Sequence, residues 1–227
     1  MNQLKHLAII MDGNARWAAL RNLCPNSGHA QGAKTLKEIV PHLIDYNIEY
    51  VTAFAFSSEN WKRPKDEVDN LFKLLLEFLT DELENLHKMG VRVKIIGRIN
   101  KIPQVCYDAI QNAINYTENN KKITINIALS YSAQEEIIDA CNQLIKEQKI
   151  IDIENFKYYL YDSEMPNVDL LIRTGKSHRI SNFLLWQIAY AELFFLDKYW
   201  PDFNKDDLKE ILHDYKSRQR NFGARKI

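Results

Sequence analysis

The sequence predicts an α/β fold: a single domain on a mostly parallel sheet of six strands, flanked by helices. Three observations predict it. Short apolar runs of strand length alternate with longer stretches of helical period. Several of those runs are apolar at every position, as a strand must be when helices cover both faces of its sheet. Polar and charged residues cluster immediately after the runs, where open α/β sheets bind ligands.

The strand candidates are 7–11, 50–56, 91–96, 123–129 and 170–172, with a weaker one at 193–196. Helical patterns occupy 29–46, 67–88, 104–118, 134–147 and 204–218. No repeat, low-complexity segment or Pro/Gly-rich linker divides the 227 residues, so one domain over 1–227 is expected. Hydrophobic residues make up 46% and charged residues 26%, the balance of a soluble globular protein. Thirty basic residues face thirty acidic ones, so anion binding has to come from local clusters and nucleic acid is not an expected partner. Cys24, Cys106 and Cys141 form no C-x-x-C pair; no disulfide framework or zinc site is indicated, and a reducing cytoplasm fits. The run 7–11 is too short for a signal-peptide core, and nothing approaches the roughly 18 apolar residues of a membrane span. Any contact with a membrane is expected from its surface.

Three segments carry the chemistry. The first is Met11-Asp12-Gly13-Asn14-Ala15-Arg16-Trp17-Ala18. Gly13 allows a sharp turn, and the N–H groups opening the next helix can hold a phosphate. Asp12 repels phosphate itself but can hold a divalent cation that phosphates share; an ordinary helix N-cap is the alternative. The second runs from Ala55 through Phe56, Ser57, Ser58, Glu59, Asn60, Trp61, Lys62 and Arg63 to Pro64, with Glu67 following. Aromatic, hydroxyl, amide and guanidinium groups so close together suit a ligand with an apolar body and an anionic head; an aromatic-anchored loop with Ser58 or Asp66 as a helix cap is the alternative. The third spans Asp169 to Glu192, where Arg173, Arg179 and Ser181 make a diphosphate clamp, since guanidinium matches phosphate oxygens bidentately. Gly175-Lys176-Ser177 has the tail of a nucleotide-binding P-loop, but Leu170 stands where that motif needs its first glycine.

Together these segments resemble the cis-prenyltransferase family, most closely the bacterial undecaprenyl diphosphate synthases. The likeness runs from about His6 to Gly223. It rests on the first segment, on Gly28-His29, on the stretch from Phe56 to Pro64, on Val168 to Gly175, and on Arg179 to Glu192. The resemblance implies a six-stranded parallel sheet, a homodimer, Mg2+ as cofactor, and an apolar tunnel for the growing chain. It implies two substrates, isopentenyl diphosphate and an allylic diphosphate, and a lipid product that brings the enzyme to the membrane periphery. Carried over by position, Asp12 is the essential acid and metal ligand. Gly13, Asn14, Ala15, Arg16 and Trp17 correspond to the diphosphate loop, with His29 and Arg63 assisting. Ser57, Ser58, Glu59, Asn60, Trp61 and Glu67 belong to the loop that closes over the substrates, Asn60 among the catalytic residues. Arg173, Arg179 and Ser181 resemble the isopentenyl diphosphate site, and Glu192 a second metal ligand. The D-D-x-x-D signature of trans-prenyltransferases is absent.

Four positions depart from the family pattern. Ala15 replaces a glycine, Pro25 an arginine that helps hold the allylic diphosphate, Lys176-Ser177 a Gly-Glu pair, and Ser130-Tyr131-Ser132-Ala133-Gln134 an Asn-Tyr-Gly-Gly-Arg stretch. They keep open a non-catalytic partner subunit of a prenyltransferase, against which the retained Asp12, Asn14, Arg16, Arg63, Arg173, Arg179 and Glu192 argue. Lys176 or Arg21 is expected to replace the missing cation at Pro25. Finally, the helical pattern from Glu67 to His87 is apolar around more of its circumference than a surface helix needs. Its second face either packs another helix or the dimer partner, or lines the tunnel, with Leu75 and Phe78 as wall and Ile123 near the closed end.

Overall fold

The computed structural model describes residues 4–218; Gly223, where the resemblance ends, lies outside them. Six strands form one sheet: β1 (His6–Ile10), β2 (Tyr50–Ser57), β3 (Val91–Ile96), β4 (Ile123–Tyr131), β5 (Leu170–Arg173) and β6 (Glu192–Phe195), in the order β3-β4-β2-β1-β5-β6. All five pairings are parallel. Every residue of β1, β4 and β5 is buried, the signature of strands covered on both faces.

The helices are α1 (Asn14–Ala19), α2 (Pro25–Asp45), α3 (Lys65–Asp81), α4 (Leu83–Lys88), α5 (Gln104–Thr117), α6 (Ala133–Lys146), α7 (Ile153–Phe156) and α8 (Lys205–Ser217). The pattern expected as one helix over 67–88 is two, broken at Glu82. The apolar spacing continues through the break because both pieces pack on the same core, where Val68, Phe72, Leu79 and Leu86 are buried together. On the other face, Ala8, Ile10, Tyr131, Leu171 and Phe183 form a second cluster. Strand β2 bulges at Ala55: Phe54 pairs with Ala128 and Phe56 with Leu129, leaving Ala55 between them. A second shift follows, with Ser57 pairing with Tyr131; such irregularities are common beside functional sites.

Deep under the opposite edge of the sheet, His6 is fully buried. Its Nδ1–H donates to the Pro166 carbonyl at 2.7 Å, and its Nε2 accepts from the Thr52 hydroxyl at 2.8 Å, as a neutral ring can. Desolvation lowers its pKa to about 4, against a rise from the Pro166 bond. The unfolded chain therefore takes up a proton below pH 6.5 that the folded chain refuses until about pH 4. This contribution to stability is complete above pH 6.5 and lost as pH falls through that window, about 3 kcal/mol in all. Urea unfolding of wild type and His6→Gln between pH 7 and pH 4 should show a steeper acid loss for wild type; parallel curves would refute the assignment.

Candidate functional site

The strand order fixes where a site can form. From β1 the chain runs to one side of the sheet, through β2 and β3 and back to β4; β5 and β6 lie on the other side of β1. The connections leaving the carboxyl ends of β1 and β5 diverge, and a crevice opens between them.

Asp12 and Arg173 face each other across it. Arg173 Nη2 donates to Asp12 Oδ2 at 2.8 Å, and Arg16 Nη2 donates to Oδ1 at 2.9 Å. Thr174 locks the two loops: its hydroxyl accepts from the Asp12 N–H at 3.0 Å and donates to the Asp12 carbonyl at 2.8 Å. Gly175 has φ 89°, and a Cβ there would lie 2.8 Å from the Asp12 carbonyl carbon and 2.9 Å from Arg16 Nη2. Only glycine lets these loops meet. Gly13, with φ 104°, makes the corresponding left-handed turn into α1. Burial pushes the Asp12 carboxyl up, but the bonds from Arg173 and Arg16 outweigh it and hold its pKa below the usual carboxylate value. Arg173 is buried; its Nη1 donates to Ser181 Oγ at 2.7 Å and to the Arg179 carbonyl, and its Nε has no protein partner.

The crevice continues into a cleft of about 790 Å³. Asp12 lines it from the β1–α1 connection, Asn14 and Arg16 from α1, and His29 from α2. Ser57, Glu59, Asn60 and Arg63 line it from the end of β2 and the following turn, Arg173 from the end of β5, and Arg179, Ser181 and Asn182 from beyond it. Four arginines thus face two carboxylates, Asp12 and Glu59, in a chain of zero net charge. The cleft suits a polyanion. Asn60 holds the turn by accepting from the Ser57 N–H at 3.0 Å. Burial lowers the pKa of His29, and the Arg63 charge adds to this against the opposing pull of Glu67.

Other predicted residues stand behind the cleft. Glu67 accepts from Arg63 Nη1 at 2.8 Å, which orients that guanidinium, and places its charge 3.4 Å from His29 Nε2. Trp61 is packed between Phe56 and Phe72 and donates to Ser130 Oγ at 2.9 Å. Ser58 donates to Glu135 at 2.5 Å. Ala15 is exposed on α1. Trp17 turns to Asp202, donating at 2.6 Å, and stacks under Arg21. Arg21 also binds Asp202, so it does not replace the cation missing at Pro25, which is the first residue of α2. Lys176 fits that role better: its Nζ and the Arg16 guanidinium each lie 5.6 Å from the centre of the Tyr199 ring.

Glu192 is not brought to Asp12. It pairs with Leu170, which pairs with Leu7, at the amino end of the sheet. Asp12 lies roughly 16 Å farther along the strand direction. Glu192 instead forms an ion pair with Arg218 at 2.8 Å. Within one chain the two acids cannot share an ion. Among the described residues no three His, Cys, Asp or Glu side chains gather as a metal cage. A lone carboxylate beside diphosphate-binding donors does fit magnesium, which commonly uses one or two carboxylates and the phosphates of its ligand.

Below the cleft an apolar cavity of about 130 Å³ shares Met11, Phe54, Ala55 and Leu71 with it and continues over Leu36, Leu74, Leu75, Phe78 and Ile127. Leu75 and Phe78 form its wall as expected. Ile123 does not line it; Ile127, two strand repeats nearer the cleft, does. Thr174, Gly175 and Asn182 lie within the matched motifs but carried no site role in the sequence reading. The glycine beside Arg173 and the Ser-Asn pair after Arg179 were the available signals.

Residues 10–223 match the prenyltransferase family model of undecaprenyl diphosphate synthases. An isoprenyl transferase of Rickettsia typhi is 53% identical over 99% of this chain and 100% of its own length. A crystal structure of a probable undecaprenyl diphosphate synthase from Campylobacter jejuni is 37% identical, with a TM-score of 0.85 over 98% of this chain and 100% of that one. Lavandulyl diphosphate synthase from Lavandula x intermedia, solved with dimethylallyl diphosphate, is 32% identical, with a TM-score of 0.93 over 97% of this chain and 98% of that one.

Proposed function

The chain belongs to the prenyltransferase family of undecaprenyl diphosphate synthases, and from that premise we propose that it condenses isopentenyl diphosphate with an allylic diphosphate, farnesyl diphosphate, to a long-chain Z-polyprenyl diphosphate. The product is of the undecaprenyl class, a cell-wall lipid carrier. The observation that carries this reading is one crevice with two groups of cationic donors meeting at Asp12, and an apolar cavity leading away from it.

Arg16, Arg63, Asn14 and the Gly13 turn hold the allylic diphosphate. Arg173, Arg179 and Ser181 hold isopentenyl diphosphate, whose double bond attacks the allylic carbon as the C–O bond breaks. A proton then leaves the new chain. Negative charge grows on the departing diphosphate, and fixed guanidinium groups in a sheltered cleft stabilise it there. Asp12 would hold Mg2+, which would supply further charge neutralisation at the departing diphosphate. Asn60 and Trp61 fix the turn that covers the substrates, and Glu67 sets Arg63. The enzyme works as a homodimer in the cytoplasm and meets the membrane at its surface to release product. No helix among the described residues is long and apolar enough to cross a membrane.

Incorporation of labelled isopentenyl diphosphate into a solvent-extractable product, dependent on farnesyl diphosphate and Mg2+, tests the proposal. Pro25 marks the weaker half of the site. Pro25→Arg should lower the Michaelis constant for farnesyl diphosphate several-fold, since a charge-assisted hydrogen bond contributes about 1.5–3 kcal/mol. An unchanged constant would mean that Lys176 already provides the charge.

A further inference from the structure

The segment that carries Ser181 holds an unusual backbone. Ser181, Asn182 and Leu184 are left-handed, with φ of 49°, 59° and 49°, a conformation that non-glycine residues keep only where their surroundings enforce it. The enforcement comes from the turn between β4 and α6. Asn182 Nδ2 donates to Ser132 Oγ at 2.7 Å, and its Oδ1 accepts from the Gln134 N–H at 3.0 Å. Its carbonyl accepts from the Ala133 N–H at 2.9 Å. The same turn also holds the other side of the cleft, because Trp61 donates to Ser130 and Ser58 to Glu135. This is the stretch in which the chain departs from the family pattern, and Ser132 adds a hydroxyl where that pattern has glycine.

We propose that Asn182 is a positioning residue for the isopentenyl diphosphate clamp: by tying the 181–184 segment to Ser132 and Gln134, it sets Ser181 Oγ and, through it, the Arg173 guanidinium. This rests on reading Arg173, Arg179 and Ser181 as the isopentenyl diphosphate site. The side chain of Asn182 makes two bonds to the turn and a longer one, from Nδ2 to Glu59 Oε1 at 3.4 Å; Ser181, the residue before it, is bonded to Arg173 at 2.7 Å. Releasing the amide lets Ser181 leave its left-handed position and frees Arg173 Nη1.

Asn182→Gly keeps a left-handed backbone accessible while removing the amide. The Michaelis constant for isopentenyl diphosphate should rise about tenfold, with that for farnesyl diphosphate and kcat changed by less than about threefold. Ser132→Gly, which removes one of the two bonds with little loss of helix capping, should raise the same constant about threefold, and the double variant should be no worse than Asn182→Gly alone. Equal effects on both substrates, or an additive double variant, would overturn the proposal. Calorimetric titration with inorganic pyrophosphate, which needs no turnover, separates this from the broader reading. If wild type fails to turn over but Asn182→Gly still binds pyrophosphate about tenfold more weakly, the proposed reaction falls and the positioning role stands. If wild type turns over and the variant binds pyrophosphate as wild type does, the positioning role falls.

Discussion

Asp12→Ala lowers turnover about 10²–10³-fold, the usual cost of removing one group that stabilises charge in the transition state. The expectation follows from the placement of its carboxylate, which receives both Arg16 and Arg173 and so joins the two halves of the cleft. The loss should not come from unfolding, because the crevice lies at the edge of a sheet whose core does not include Asp12. Removing the partner of a buried guanidinium should still lower stability by about 1–3 kcal/mol. Circular dichroism should report a native spectrum with a modestly lower melting temperature. More than about a tenth of wild-type activity at saturating Mg2+ would remove Asp12 from the reaction, given that single contacts of this kind are worth at least tenfold.

Phe78→Ala and Leu75→Ala lengthen the product. Both side chains wall the apolar cavity, and each methylene of product buried there gains about 0.8 kcal/mol. Removing a phenyl or isopropyl group opens space for roughly one further isoprene unit, provided the walls do not collapse into it. Ile127→Ala should act in the same direction. Ile123→Ala, buried but away from the cavity, should cost about 2–5 kcal/mol of stability and leave product length unchanged. Chromatography of dephosphorylated products decides between these outcomes. Unaltered lengths in all the cavity variants, with activity retained, would move the growing chain elsewhere.

The strands were legible because their apolar runs are short, complete and bounded by polar turns; each begins within a residue of its expected start. Side-chain parity was legible too, which is why Ile123 came close: it lies on the same face as Ile127, four residues on. Parity does not give depth along a strand, so the cavity's end was misplaced by two repeats. The break at Glu82 was invisible because both helices keep the same apolar spacing. Glu192 stands apart from Asp12 within one chain for a different reason. It opens β6 at the amino end of the sheet, and a resemblance in sequence does not say at which edge of the sheet a residue emerges. The roles of Trp61 behind the cleft, and of Thr174, Gly175 and Asn182 in bringing loops together, depend on contacts between segments 50 to 162 residues apart or on backbone geometry at single positions. Spacing along the chain does not record either.

The central claim is that one crevice holds two diphosphates and joins their carbon chains. The most direct measurement is turnover by the purified chain alone, with labelled isopentenyl diphosphate, farnesyl diphosphate and Mg2+. The account predicts a ladder of extractable Z-polyprenyl products that requires both substrates. If both diphosphates bind but no label enters an extractable product until a second protein is added, the chain is a partner subunit and the account is wrong.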